Sequence, residues 1–288
     1  AGVNPIDAKT RAGLGWAAAQ NKDNLPWTPG YDVAGVVEKV GPGVTSLAEG
    51  DQVCGMVGFP LAAGAYAESV VAREEELVKL DGVSLRQGAA LPLAGLTAWQ
   101  GLLEHGGLQS GQRVLILAGA GGVGHLAVQF AAAYGAHVVA TASGDNHSFL
   151  HSLGASRMVD YHQAGWCTEA ITDGPFDLVL DLVGGESGKA ALACVKPGGR
   201  LVTVPTITAQ QIKDAGAELG VEVVGMLVHP DRTQLTQMLT LLRQGEVKIT
   251  VSGEYTLAEG ALAHQAIEQG HVRGKLLLRM SAADGQPG

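Results

Sequence analysis

The sequence has no long apolar run, no block of basic residues and no closely spaced cysteines. No apolar stretch is long enough to cross a bilayer, so we expect a protein without membrane spans. The 28 acidic residues outnumber the 19 lysines and arginines, and the net charge of −9 argues against a nucleic-acid-binding surface. The three cysteines form no CxxC motif, which predicts a chain without a disulfide framework in a reducing compartment, the cytoplasm.

Apolar residues and glycine are abundant instead. Of the 288 residues, 46% are hydrophobic and 42 are glycine, which suffices for two domains with many turns. In the first part of the chain, short apolar segments alternate with glycine and proline turns, and this pattern predicts a small β-barrel or sandwich. The expected strands there include Val36–Val40, Gln52–Val57 and Ala65–Ala72.

Strand and helix patterns alternate in the second part of the chain. This alternation predicts an α/β fold with a doubly wound parallel sheet. The expected strands are Val114–Leu117, Val138–Thr141, Arg157–Asp160, Leu178–Leu182, Leu201–Val204 and Val221–Leu227. The expected helices are His125–Tyr134, Asn146–Leu153, Gly188–Ala193, Ala209–Ala217 and Asp231–Arg243. A last helix, Leu257–Gln269, and a terminal strand, Gly274–Arg279, are expected to follow.

A glycine-rich turn stands between the first strand of this alternation and its helix. Gly119, Gly121 and Gly124 form G-x-G-x-x-G, in which the glycines allow a tight turn, a close approach of a pyrophosphate and close packing of helix on strand. The alternatives are an ordinary glycine turn and a methyltransferase-like nucleotide site, but the second strand that follows favours dinucleotide binding. The predicted cofactor-binding residues of the turn are Ala118, Gly119, Ala120, Gly121, Gly122, Val123 and Gly124.

The end of the second strand bears on the choice of dinucleotide. An NAD site usually carries an acidic residue there, for the ribose 2′-hydroxyl. Here Ala142 occupies that position, and the Ser143 hydroxyl could donate a hydrogen bond to a 2′-phosphate. Arg157 is the nearest basic residue in sequence. The sequence therefore predicts NADPH rather than NADH.

Six motifs occur in an order that resembles the medium-chain dehydrogenase/reductase family, and specifically its zinc-independent quinone oxidoreductase branch. They are Gly2–Asp7, Pro29–Gly35, Gly64–Glu68, Leu91–Thr97, Ala118–Gly124 and Gly274–Lys275. The resemblance implies a discontinuous GroES-like catalytic domain, residues 1–92 and 247–288, with a Rossmann domain, residues 93–246, inserted in it. Members of the family begin with a few dozen residues that this chain lacks, so the first strands of the barrel are expected to be missing.

The resemblance also bears on zinc, which the alcohol dehydrogenase branch of the family uses. The positions of its catalytic zinc ligands fall on Asn4, Tyr31 and Leu93, with Asp32 in the place of a neighbouring glutamate. None of the first three is a plausible zinc ligand. The Ser/Thr that starts the proton relay of that branch falls on Ile6, which cannot carry a proton. We therefore expect no metal.

Further cofactor contacts are implied by the resemblance alone. Ordinary loop or core packing is the alternative for each of them. Tyr161 resembles the tyrosine that lies beside the 2′-phosphate, whereas Asp145 stands where relatives often carry a basic residue. The remaining implied contacts are Thr97, Val183, Gly184, Val204, Pro205 and Lys275.

Four residues are predicted to serve the chemistry of the site. Asn4 could donate a hydrogen bond to a substrate carbonyl oxygen, or form a turn with the following proline. Asp7 could act beside it or only cap a short helix, and the capping role is slightly favoured. Tyr31 and Tyr66 could line the acceptor pocket, although Tyr31 could belong to the core instead.

These residues lead to three functional hypotheses. The first is NADPH-dependent, zinc-free reduction of a quinone, since a reduced quinone takes its protons from solvent and the site shows no obvious acid. The second is reduction of the C=C bond of α,β-unsaturated aldehydes or ketones. The third is a nucleotide-binding protein without turnover. The apolar segment 221–228 reads as the edge strand of the parallel sheet, where this branch commonly forms homodimers.

Overall fold

The computed structural model describes residues 1–23, 25–61 and 64–280. The chain packs into two compact units. One, the discontinuous unit, comprises Ala1–Leu96 and the chain from His229 onward; the other, the inserted unit, comprises Thr97–Val228. The inserted unit is thus a single segment of the chain between the two parts of the discontinuous unit.

The strands fall into two groups along the chain. They are β1 (Gly2–Val3), β2 (Asp32–Val36), β3 (Gln52–Met56), β4 (Leu77–Lys79), β5 (Arg113–Ile116), β6 (His137–Ala142), β7 (Arg157–Asp160), β8 (Phe176–Asp181), β9 (Val195–Thr203), β10 (Glu222–Gly225), β11 (Val251–Thr256) and β12 (Lys275–Arg279).

The helices are mostly short. They are α1 (Pro5–Arg11), α2 (Gly15–Asn21), α3 (Leu85–Ala90), α4 (Pro92–Trp99), α5 (Gly124–Ala133), α6 (His147–Ser152), α7 (Trp166–Ala170), α8 (Gly185–Ala191), α9 (Ala209–Leu219), α10 (Arg232–Gln244) and α11 (Gly260–Glu268). Within the described residues, none of them combines the length and the apolar character that a membrane crossing requires.

The discontinuous unit contains a six-stranded sheet in the order β11-β12-β1-β2-β3-β4. Both parts of the unit meet in this sheet, because β1 pairs antiparallel with β12, with Gly2 opposite Leu277. The expected strand at 65–72 does not form. Instead, the backbone N–H groups of Ala65 and Tyr66 donate to the carbonyl oxygens of Gly30 and Pro29, which ties this segment to the turn before β2.

The inserted unit is a doubly wound parallel sheet in the order β10-β9-β8-β5-β6-β7, with every neighbouring pair parallel. The predicted α/β fold class is therefore confirmed. Its strands are apolar because both faces are covered. The core includes Leu115, Val139, Phe176, Val179 and Leu201, all nearly inaccessible to solvent.

The boundaries of the inserted unit differ from the expected 93–246. The structure places α10 in the discontinuous unit, so the inserted unit ends at Val228. The apolar side of α10 explains this placement: Met238 is buried, and its sulfur lies 2.9 Å from the position that a Cβ would take at Gly95 of the same unit. A helical pattern that follows the last strand does not by itself reveal which unit the helix covers.

Candidate functional site: a glycine turn and a buried polar network

The three glycines of the turn in the inserted unit meet different surroundings. A Cβ at Gly119 would lie 2.8 Å from the Cβ of Ala140 on β6. A Cβ at Gly124 would overlap the carbonyl oxygen of Ala118 and lie 2.8 Å from the carbonyl carbon of Gly119. At Gly121, by contrast, a Cβ would approach only the Ala118 oxygen, at 3.3 Å. Packing thus requires the first and third glycines, and the second leaves room for a phosphate group.

Strand β6 holds the turn in place. The Ala118 N–H donates to the Thr141 hydroxyl at 3.1 Å, and the Gly119 N–H donates to the Thr141 carbonyl oxygen at 2.9 Å. Ala118 has a positive φ of 52°, which is uncommon for a residue with a side chain. Helix α5 begins directly after the turn, and the first N–H groups of a helix lack intrahelical acceptors. This cradle suits the pyrophosphate of a dinucleotide.

The end of β6 carries groups that could contact a 2′-phosphate. The Ser143 hydroxyl accepts a hydrogen bond from Asn146 at 2.9 Å, which leaves its proton free to be donated. Asp160 on β7 lies beside Ala142 in the sheet register. Sequence reasoning missed this carboxylate because it lies on a different strand from Ala142 and Ser143. Its Oδ1 accepts hydrogen bonds from the backbone and ring of His162, which lower the pKa of Asp160.

Two other residues considered for the 2′-phosphate lie at opposite ends of edge strand β7: Arg157 begins the strand, and Tyr161 follows its last residue. Arg157 is paired with Asp173 at 3.0 Å, so its guanidinium is already engaged. Tyr161 is 44% exposed, and its ring lies 4.2 Å from the ring of His162. Of these two, only Tyr161 presents a free face to a ligand.

The predicted cofactor contacts Val183 and Gly184 lie in the loop after β8, and Val204 and Pro205 lie in the loop after β9. The two loops meet. Buried Asp181 organises them. Its Oδ1 accepts from the Val183 and Gly184 N–H groups at 3.0 and 2.8 Å, and its backbone oxygen accepts from the Val204 N–H at 3.0 Å. Val183 remains about half exposed. Sequence reasoning missed Asp181, although an acidic residue that ends an apolar strand is a usable signal.

The last two predicted cofactor residues are both buried. Thr97 lies on α4 in the inserted unit, with 2% of its surface exposed. Lys275 lies at the start of β12 in the discontinuous unit and is also 2% exposed. Its ammonium donates to three acceptors: the Val3 carbonyl oxygen at 3.2 Å, Asn4 Oδ1 at 2.5 Å and Asp32 Oδ2 at 3.4 Å. In the described structure this lysine supports Asn4 rather than reaching outward.

The buried ion pair fixes the orientation of the Asn4 amide. An ammonium only donates and a carboxylate only accepts, so Asn4 Oδ1 must face Lys275 and Nδ2 must face Asp32, to which it donates at 2.8 Å. One N–H of Nδ2 is used in this way. The second N–H is the group that Asn4 can offer to a ligand.

Asp7 is the third residue of α1, and both of its carboxylate oxygens accept hydrogen bonds. Oδ2 accepts from the Asn4 N–H at 2.9 Å and from the Tyr66 hydroxyl at 3.1 Å, and Oδ1 accepts from the Gly30 N–H at 3.2 Å. Asn4 is the N-cap of the helix, and Asp7 completes the cap from the third position. This geometry favours the capping role that the sequence suggested over a direct part in chemistry.

A directed chain of hydrogen bonds runs from the surface to Asp7. Arg11 is paired with Glu268 at 2.5 Å, and its guanidinium lies 3.0 Å from His264 Nδ1. Because arginine only donates, Nδ1 accepts and Nε2 carries the ring proton, which points to the Tyr66 hydroxyl at 3.3 Å. Burial and Arg11 lower the pKa of His264. From Arg11 inward, every bond of the chain therefore donates toward Asp7, and the chain holds that carboxyl in place.

Asp7 is expected to make stability depend on pH. Its complete burial, which outweighs the hydrogen bond from Asn4, raises the pKa of Asp7 to about 7 from 3.8. The folded state then holds a proton that the unfolded state releases near pH 4, so this contribution to stability is full below that pH and is lost as the pH rises through about 7. Urea unfolding at pH 5 and pH 8 should therefore give a smaller pH-dependent loss of stability in Asp7→Asn than in the wild type.

Exposed Glu186 provides the control for this experiment, since its side chain is 90% exposed. Glu186→Gln should keep the wild-type pH dependence. An Asp7→Asn variant with the same dependence as the wild type would show that Asp7 does not titrate in this range.

Tyr31 is part of the core of the discontinuous unit. It is fully buried, its hydroxyl donates to the Pro60 carbonyl oxygen at 3.0 Å, and its ring packs edge-on against Phe59. Burial raises the pKa of its hydroxyl well above the ordinary value. These contacts favour the core alternative over a place in the acceptor pocket.

Two of the three positions that correspond to zinc ligands, Asn4 and Leu93, meet at Asp32 in the structure. The Leu93 N–H donates to Asp32 Oδ1 at 2.6 Å, and Asn4 binds the other oxygen of the same carboxylate. Lys275 supplies a positive charge at this point. Among the residues that the structure describes, no group of three or more His, Cys, Asp and Glu side chains is placed to hold a metal ion.

Comparison with known proteins supports the same organisation. The family model described as "Alcohol dehydrogenase GroES-like domain" matches residues 1–82, and that described as "Zinc-binding dehydrogenase" matches residues 153–278. The chain is 34% identical to NAD(P)H oxidoreductase RTN4IP1, mitochondrial, of Danio rerio, with 96% of this chain and 81% of the relative covered.

Two further relatives carry more specific names. NADPH-dependent alkenal/one oxidoreductase, chloroplastic, of Arabidopsis thaliana is 35% identical, with 96% of this chain and 69% of the relative covered. The solved structure of the quinone oxidoreductase from Coxiella burnetii is 40% identical, with a TM-score of 0.93 and coverage of 98% of this chain and 88% of that chain.

Proposed function

The chain belongs to the zinc-independent quinone oxidoreductase branch of the medium-chain dehydrogenase/reductase family, and on that premise we propose that it reduces a quinone with NADPH and without zinc. The relatives establish the coarser statement: the protein is an oxidoreductase that uses a nicotinamide cofactor. The same relatives do not favour a nucleotide-binding protein without turnover.

The residues of this chain have defined roles in the proposal. Bound NADPH would supply the hydride. The glycine turn binds the pyrophosphate, and the second Nδ2 proton of Asn4 donates to the carbonyl oxygen of the acceptor, where negative charge develops. Lys275 and Asp32 act as positioning residues, because they hold the Asn4 amide in the one orientation in which this proton is not used by the ion pair.

One observation carries the choice of a quinone. Tyr31 and Tyr66 both lie within family motifs of the discontinuous unit. Each uses its hydroxyl proton within the protein: Tyr31 donates to Pro60 and Tyr66 donates to Asp7. Neither hydroxyl is set to protonate a substrate carbon, a step that C=C reduction requires and quinone reduction does not. This supports quinone reduction over the alternative, reduction of an α,β-unsaturated aldehyde or ketone.

The test is steady-state NADPH oxidation with 1,4-benzoquinone and with an alkenal, each with and without EDTA. We expect turnover of the quinone, unchanged by EDTA, and a fall in kcat of about 100-fold in Asn4→Ala, as for loss of a donor to a developing oxyanion. Tyr66→Phe is the matched variant, which keeps the ring and loses the hydroxyl, and its quinone kcat should stay within a few-fold of the wild type.

Other outcomes of this experiment would redirect the proposal. Turnover of the alkenal alone, abolished in Tyr66→Phe, would establish the alternative acceptor and make that hydroxyl the proton donor. Activity that EDTA removes would contradict zinc independence.

The preference for NADPH rests on Ser143. We expect Ser143→Ala to weaken NADPH binding by about 10- to 100-fold, because a hydrogen bond to a charged group contributes about 1.5–3 kcal/mol, and to leave NADH binding nearly unchanged. Arg157→Gln is the control, since Arg157 is engaged by Asp173 and should not affect the ratio of the two affinities. Fluorescence titration with both nucleotides measures this ratio. Equal losses for both would contradict a role at the 2′-phosphate.

The proposed homodimer would form at β10, which is the edge strand of the parallel sheet. Light scattering should then give twice the chain mass of 29.5 kDa. A monomer at micromolar concentration would contradict this proposal. The expectation of a cytoplasmic protein stays a prediction.

A further inference from the structure

Two cysteines that are 27 positions apart in sequence lie side by side in the inserted unit. Cys167 is on α7, and Cys194 is in the helical turn 192–194 that follows α8. The Cys194 thiol donates to the carbonyl oxygen of Cys167 at 3.8 Å, and the Cys167 thiol donates to the carbonyl oxygen of Ala190 at 3.4 Å. Both pack on the core of the parallel sheet. Their spacing in sequence matches no redox or metal motif, so only the fold brings them together.

The two thiols differ in environment. Cys167 is partly exposed, and the neighbouring Cys194 thiol lowers the pKa of Cys167, which favours the reactive thiolate. Cys194 is fully buried, and the neighbouring Cys167 together with burial raises its pKa. An accessible nucleophilic thiol beside a protected second thiol is the arrangement that a dithiol needs to be oxidised in two steps.

We propose that Cys167 and Cys194 form a reversible intramolecular disulfide when the protein meets a hydroperoxide. The Cys167 thiol releases its proton to solvent, and the thiolate attacks one oxygen of hydrogen peroxide. The O–O bond breaks, a sulfenic acid forms, and the hydroxide that leaves takes up a proton from solvent to give one water. The Cys194 sulfur then attacks the Cys167 sulfur, the S–S bond forms, and the sulfenic oxygen leaves as a second water. The dithiol loses two electrons and the peroxide gains them; a thiol reductant reverses the change.

The site is separate from the oxidoreductase chemistry proposed above. Neither cysteine touches the glycine turn or the Asn4 network, so the failure of one proposal would leave the other standing. The third cysteine, Cys54, lies in the discontinuous unit, is fully buried, and burial raises the pKa of its thiol to about 12. It therefore serves as an internal reference that peroxide should not modify.

The experiment treats the full chain with a small excess of hydrogen peroxide, then unfolds it in acid and counts free thiols. We expect the loss of two of the three thiols, a peptide cross-linked between Cys167 and Cys194 in the digest, and recovery of all thiols with dithiothreitol. Cys194→Ser should yield a sulfenic acid at Cys167 that dimedone traps, without a cross-link. Cys167→Ser should keep both remaining thiols.

Three results would overturn the proposal. One is the persistence of all thiols under conditions that fully oxidise glutathione. The second is disulfide-linked dimers on a non-reducing gel in place of the internal cross-link. The third is direct conversion of Cys167 to the sulfinic acid with Cys194 unmodified. The wild-type digest alone distinguishes these results, so the conclusion does not depend on the folding of either variant.

Discussion

Lys275→Met is expected to destabilise the protein by about 3–5 kcal/mol, the cost of removing one partner from a buried ion pair. The substitution would leave the Asp32 carboxylate buried with only the Asn4 and Leu93 N–H donors. It would also deprive the Val3 carbonyl oxygen and Asn4 Oδ1 of their shared donor. Equilibrium unfolding in urea at pH 7 measures the loss directly.

The same substitution tests whether the ion pair positions Asn4. Without the ammonium, only the Asp32 carboxylate still orients the Asn4 amide, and Asn4 Oδ1 loses its donor, so kcat should fall in Lys275→Met more than KM rises. The double variant Asp32→Asn, Lys275→Met removes both charges and should recover part of the stability without recovering kcat.

An exposed ion pair supplies the control. Lys189 and Glu186 are 2.9 Å apart, and Glu186 is 90% exposed, so Lys189→Met should change stability by less than about 1 kcal/mol. Equal losses for Lys189→Met and Lys275→Met would mean that the buried network contributes no more than a surface pair.

Gly121→Ala is expected to abolish tight cofactor binding while the fold is retained. A Cβ at this position would meet only the Ala118 carbonyl oxygen, at 3.3 Å, so stability should change by about 1 kcal/mol or less. The added methyl group would occupy the space left for the pyrophosphate and displace it. A misplacement of about 1 Å can cost about 100-fold, and we expect a loss of NADPH affinity of that size in a fluorescence titration.

The third glycine of the turn should behave differently. A Cβ at Gly124 would overlap backbone atoms of Ala118 and Gly119, which cannot yield as a side chain can. Gly124→Ala should therefore lose about 1–3 kcal/mol of stability as well as cofactor affinity. Gly260→Ala, at an open helical position with a neighbouring atom at 3.8 Å, should be neutral or slightly stabilising. A stable Gly124→Ala that binds NADPH normally would contradict the packing argument.

The alternation of strands and helices predicted the parallel sheet correctly, because most of its strands are short segments rich in apolar residues with a helix between one and the next. The segment 65–72 shows where the same reasoning fails. Six of its eight residues are apolar or aromatic, as in a strand, yet its backbone pairs with the turn at Pro29 and Gly30. Strand β4, which follows a run of three glutamates, was missed because two apolar residues are too few to give a pattern.

The prediction of site residues also depended on whether the contacts of each residue are local in sequence. The glycine turn could be located from sequence because its contacts are local: strand, turn and helix are consecutive. Asp160 and Asp181 were not assigned roles, since part of their surroundings comes from other strands: Ala142 lies beside Asp160, and the Thr203 hydroxyl donates to Asp181. Lys275 was predicted to reach the cofactor, but the structure pairs it with Asp32, which lies 243 positions away in sequence.

The sequence by itself determined the fold class, the family and the dinucleotide turn, because local patterns and short motifs carry that information. Only the tertiary structure decided how the polar residues are used. It fixed the Asn4 amide between a cation and a carboxylate, set the directed chain to Asp7, and brought Cys167 against Cys194. The physical reason is that hydrogen bonds and buried charges depend on distances of a few ångströms between distant segments, which no one-dimensional pattern records.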